Sequence, residues 1–71
     1  MDKLQSIKDN INSQLDDVDD LDELGSTKVW LEGWVCGVTD PILHDSTFNE
    51  LKDQAMDYLN AQCSLIEERI K

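Results

Sequence analysis

Residues 16–23 read DDVDDLDE and place six carboxylates, Asp16, Asp17, Asp19, Asp20, Asp22 and Glu23, in eight positions. Such a run has three chemical uses: holding a hard cation, imitating a phosphate backbone, or solvating a helix end. The first is tested by spacing. A calcium loop of the EF-hand type takes ligands at its positions 1, 3 and 5, a Gly at 6 and a bidentate Glu at 12. Counted from Asp20, those places hold Asp20, Asp22, Leu24, Gly25 and Leu31, and Glu32 falls one residue late. The fifth place is apolar and the twelfth lacks its carboxylate, so no metal is expected.

Mimicry of nucleic acid fares better on charge density. Duplex DNA carries one charge per about 1.7 Å of axis. Eight helical residues span about 12 Å, or one carboxylate per roughly 2 Å. Asp2, Asp9, Asp16 and Glu23 also recur every seven residues, and Asp20 lies one turn from Asp16. A continuous helix would align all of them in one acidic stripe. A solvated face in an acidic protein has the same period, because the apolar face forces the polar one to share it. The excess of Asp over Glu, five to one in this run, has no origin in helix stability, since Glu is the better helix former.

The remaining reactive side chains are few. His44 is the only His and adjoins Asp45, and the cysteines are Cys36 and Cys63. A Cys36–His44–Asp45 set can be written down, but a thiol in an apolar segment is normally inert. Two Cys and one His do not fill a closed four-ligand zinc site. The stretch GWVCG at residues 33–37 lacks the order of nucleotide-binding glycine loops. No catalytic residue and no cofactor are therefore assigned, and a non-enzymatic protein is expected.

Three helices position these residues. Leu4, Ile7, Ile11, Leu15, Val18, Leu21 and Leu24 are spaced by three or four, which is helical periodicity, and Gly25 follows where a left-handed C-cap sits. This predicts a first helix over residues 2–24, weakened at its acidic end because carboxylates in a last turn oppose the helix dipole. The second segment, KVWLEGWVCGV at residues 28–38, is the most apolar in the chain. Val and Trp also suit a strand, but the i, i+4 repetition predicts a helix over 27–39, capped by Ser26 or Thr27 and closed before Pro41. Thr47 and Glu50 have capping-box spacing ahead of an apolar stripe from Phe48 to Ile70, which predicts a third helix over 46–70.

The fold expected is all-α, one helical domain over residues 1–71, arranged long–short–long. A short middle helix cannot cover two long ones, so part of the stripe from Leu4 through Ile7 and Ile11 to Leu15, or of that from Leu65 to Ile70, should stay exposed and serve a partner or a homodimer. Trp30 and Trp34 are core candidates, and either, if exposed, is an interface anchor.

Composition sets the class of partner. The chain of 71 residues has 16 acidic against 6 basic side chains, a net charge of −10, with 39% apolar residues, one Pro and three Gly. That apolar fraction supports a folded chain, with a core thin enough for self-association. The charge disfavours direct contact with nucleic acid or an anionic membrane, since each phosphate requires a Lys or Arg, and favours a protein partner with a basic surface. No run approaches the roughly twenty apolar residues of a membrane span, and the N-terminus has no signal-peptide pattern. A cytoplasmic protein with both cysteines reduced and buried is expected.

The pattern WLEGW at residues 30–34, a turn with Pro41, and FNELK at residues 48–52 resembles short helical accessory proteins of tailed phages, over residues 28–60. The resemblance implies a protein that binds and blocks a host protein, in the host cytoplasm, and some such inhibitors are acidic nucleic-acid mimics. The sequence thus reads as a non-enzymatic, acidic interaction module of the inhibitor kind. In this reading Asp9, Asp16, Asp17, Asp19, Asp20, Asp22 and Glu23 form a partner-binding stripe, and Trp30, Trp34, Leu4, Ile7 and Ile11 an apolar partner or dimer surface. The alternatives are a DNA mimic occupying the basic groove of a nuclease, restriction or transcription factor, and a structural subunit of a larger assembly.

Overall fold

The computed structural model describes residues 2–40, 42–43, 45 and 47–71. These form three helices, α1 (Lys3–Asp16), α2 (Leu21–Val38) and α3 (Phe48–Ile70), and no strand among the described residues. The all-helical expectation holds, but its first boundary does not. The first helix stops at Asp16 instead of residue 24, and the second starts at Leu21 instead of residue 27. Long–short–long becomes 14, 18 and 23 residues.

The acidic run explains the break. Asp is a poor interior helix residue but a strong N-cap, because its short carboxylate can accept from a backbone N–H two or three residues ahead. Asp20 does this: its Oδ1 accepts from the Glu23 N–H at 2.7 Å. Asp22 and Glu23 then stand in the first turn of α2, where the helix dipole favours negative charge. Ser26 and Thr27 are not caps, and Gly25 is an interior residue of α2 rather than a C-cap. At the start of α3, Thr47 makes no side-chain cap hydrogen bond, so the anticipated capping box is not formed.

The link between α1 and α2 is tied down at Val18. Its side chain is buried, its N–H donates to the Leu15 carbonyl at 3.1 Å, and its carbonyl accepts from Arg69 Nη2 at 3.1 Å. The other end of the α1–α3 contact is held by the Tyr58 hydroxyl, which donates to Asn12 Oδ1 at 2.9 Å, with Lys8 Nζ 5.1 Å from the Tyr58 ring centre. Residues 8–18 thus run alongside residues 58–69 in the same direction, and α2 returns in the opposite one, giving an up–down–up arrangement. The helix α3 packs on both others, which touch each other less. At 23 residues it is about 35 Å long and sets the 39 Å long axis of a molecule 21 and 15 Å across.

The core consists of Ile7, Ile11, Leu15 and Val18, then Leu24, Leu31 and Val35, and from α3 Ala55, Leu59, Cys63 and Ile66. Each large aliphatic side chain buried there contributes about 1.5–3 kcal/mol. This corrects the surface expected on the first helix. Ile7 and Ile11 are 2% and 0% exposed and Leu4 packs against the core, because the shortened α1 is covered along its length by α3. Thr39, the one buried polar residue among the described residues, donates its hydroxyl to the Val35 carbonyl at 2.6 Å as it ends α2. No helix among the described residues is long and apolar enough to cross a membrane.

Candidate functional site

Two surfaces emerge, one charged and one neutral. The charged one is the α1–α2 junction. Asp16 ends α1, Asp17 is its C-cap, Asp19 and Asp20 lie in the link, and Asp22 and Glu23 open α2; all six are exposed. Asp19, Asp20 and Glu23 bring one carboxylate oxygen each to within 4.8 Å of one another. The spacing differs from that of an EF-hand loop, and the Asp20 carboxylate is already engaged as a helix cap. Exposed acids gather this way without an ion, so no cation is assigned here.

The acidic stripe expected along one helix is divided. Asp2 caps α1 by accepting from the Leu4 N–H at 3.1 Å. Asp9, which accepts from Gln5 Nε2 at 2.9 Å, and Asp16 lie on α1, whereas Glu23 lies on α2. The carboxylates form a cluster at a corner of the molecule in place of a straight row.

The neutral surface is the outward side of α2. Leu24, Leu31 and Val35 turn inward, and a period of 3.6 residues places Ser26, Val29, Trp30, Gly33, Cys36 and Gly37 on the opposite side. All six are exposed, Val29 at 70% and Trp30 at 53%, and none is charged; Asp22, in the first turn of α2, brings the one carboxylate to this side. Trp34, one turn from Trp30, is half-buried and packs on the core, so the two tryptophans divide the roles between them. Val29 was not singled out from the sequence; its position opposite Leu24 and Leu31 on a helical wheel is the signal that identifies it. Ile42, Leu43 and Leu65 are further exposed apolar residues.

The glycines of α2 have no internal cause. A Cβ built on Gly25, Gly33 or Gly37 meets nothing within 4 Å, and no described glycine has positive φ. Each costs the helix about 1 kcal/mol relative to Ala without relieving any contact inside the chain.

The cysteines also divide. Both are free, Cys63 buried as expected and Cys36 exposed against expectation. Burial pushes the Cys63 thiol above its ordinary value; Lys28 opposes this and Glu32 adds to it, so the thiol stays protonated and unreactive near neutral pH. It lines a cleft of about 280 Å³ between α2 and α3 with Leu21, Lys28 and Glu67, whose carboxylate is bonded to Lys71 at 3.0 Å. His44 lies outside the described residues, and with it the Cys36–His44–Asp45 set. Comparison with protein-family models, curated proteins and solved structures finds no match to this chain.

Proposed function

We propose that the protein is a non-enzymatic interaction module, a homodimer that engages a second, basic protein through its acidic corner and blocks it, as an inhibitor of the phage type does. The observation that carries this reading is the segregation of its surface. Six carboxylates crowd one junction, while the outward side of α2 past its first turn, from Ser26 to Gly37, exposes Val29 and Trp30 and carries no charge. A charged corner governs encounter and choice of partner, and an exposed Trp in an uncharged setting is the residue type that anchors interfaces. The straight row of charge on which nucleic-acid mimicry relied is broken between α1 and α2, so mimicry has no separate support.

The test is quantitative capture of bound proteins from cells by the wild type and by two variants, read by mass spectrometry. One variant carries Asp17→Asn, Asp19→Asn and Asp22→Asn and leaves the Asp20 cap intact; the other is Trp30→Ala. The expected result is a partner captured by the wild type, lost at least ~10-fold by the triple variant, and released by salt. Capture that is identical across all three proteins overturns the reading.

A further inference from the structure

We infer that the cleft between α2 and α3 seats one large apolar side chain of the protein partner, carried on a segment with Lys or Arg on the side that meets the acidic run. This rests on the module reading above and names the feature of the partner that the acidic corner selects.

Cleft and corner form one surface. The α2 wall of the cleft begins at Leu21, whose neighbours in the chain are Asp20 and Asp22. Leu21 is 47% exposed, an apolar side chain left open within the most charged stretch of the sequence. Leu24 and Cys63 are buried and form the inner lining, where the free thiol acts as a small hydrophobe. An apolar recess with charge at its edge suits an interface anchor, which a polar rim keeps from water. Gly25 holds the recess open. It lies inside α2 and lines the cleft, and a Cβ there would meet nothing within 4 Å. Gly in a helix interior costs about 1 kcal/mol relative to Ala, and at this position it leaves room for a group from outside the chain. At about 280 Å³ the cleft is smaller than the usual small-molecule site of about 300–1,000 Å³ and suits one side chain such as Leu, Met or Phe.

Charge selects the occupant and the way it lies. At the Leu21 end the acidic run attracts Lys or Arg and repels an anion. The other end, reached at Lys28 about 10 Å further along α2, is balanced. There Lys28 and Lys71 stand against Glu67 and against Glu32, one turn past Lys28. The Glu67 carboxylate is already bonded to Lys71 at 3.0 Å, so a cation entering the cleft itself would meet Lys28 without a free carboxylate to offset it. The anchor is therefore apolar, and basic residues flank it on the Leu21 side alone. A second copy of this chain, at a net charge of −10, lacks the basic flank that this occupant requires.

The probes are two synthetic peptides, Lys-Lys-Gly-Phe-Gly-Gly and its counterpart with Ala in place of Phe, titrated into the whole chain and followed by amide NMR. The Phe peptide should bind with a dissociation constant on the order of 1 mM, at least ~10-fold tighter than the Ala peptide. It should move the amides of residues 24, 25, 63 and 64, and both peptides should weaken as salt is raised. Gly25→Leu fills the recess and should erase the difference between the peptides while the melting temperature rises, since Leu is the better helix former. Ser64→Leu, at an exposed position on the α3 side of the cleft, should erase it without altering α2. A difference that persists in either folded variant overturns the inference. Equal binding of the two peptides by the wild type also overturns it and leaves the corner as a purely electrostatic surface. Binding of neither peptide overturns it as well, and the module reading then stands or falls by whether the wild type captures a basic protein that the triple Asn variant loses.

Discussion

At the scale of single residues, Asp20 decides more than its neighbours. Its carboxylate is the one member of the acidic run that closes a helix end, whereas Asp19 is an exposed link residue. Asp20→Ala is expected to cost about 1 kcal/mol and to lower the melting temperature by about 4–8 °C in a chain of this size. Asp20→Asn, which keeps an accepting oxygen, should lose only a fraction of that, and Asp19→Ala almost nothing. Thermal melts of the three variants side by side provide the check, and equal losses at positions 19 and 20 would remove the cap from the account. The same residue shows how far the sequence could be read. The preference for Asp over Glu was visible, and so was the conflict between carboxylates and a helix C-terminus. Both become ordinary once the run is divided into a helix end, a link and a capped helix start. Apolar spacing conceals that division, because Leu15, Val18, Leu21 and Leu24 keep a spacing of three across it.

At the scale of elements, the break between α1 and α2 depends on a residue from the far end of the chain. Arg69 donates to the Val18 carbonyl and holds the link against α3 at a separation no local pattern encodes. Arg69→Met, which keeps an apolar stem of similar reach, is expected to cost about 1–2 kcal/mol. Hydrogen exchange should show protection falling first at residues 17–21, before the centres of α1 and α2 respond; a uniform loss along all three helices would argue against the tie. The helix types and the third helix were legible from periodicity, whose stripe from Phe48 to Ile70 meets the observed core at Ala55, Leu59 and Ile66 but wrongly included Leu65, which is exposed, and omitted the buried Cys63. What the pattern did not disclose was which stripe would be covered. Ile7 and Ile11 look like free surface only beside a short middle helix, and Val29 looks like core until Leu24, Leu31 and Val35 fix which way α2 faces.

At the scale of the whole molecule, α3 is the common partner. It supplies Ala55, Leu59, Cys63 and Ile66 to a core whose other two helices touch each other least. A peptide of residues 2–40 should accordingly be largely unfolded by circular dichroism, since isolated helices of such length are marginal in water, and should regain helix when a peptide of residues 47–71 is added. A fully helical, cooperatively melting 2–40 peptide would show that α1 and α2 form a stable unit of their own. The dependence on α3 has a temporal side. A ribosome makes α1 and α2 before the helix that completes their core, so the first half of the chain must wait with Ile7, Ile11, Leu31 and Val35 uncovered. The carboxylates at residues 16–23 stand in the middle of that waiting segment, where like charge and hydration oppose its association with a second such segment until α3 arrives.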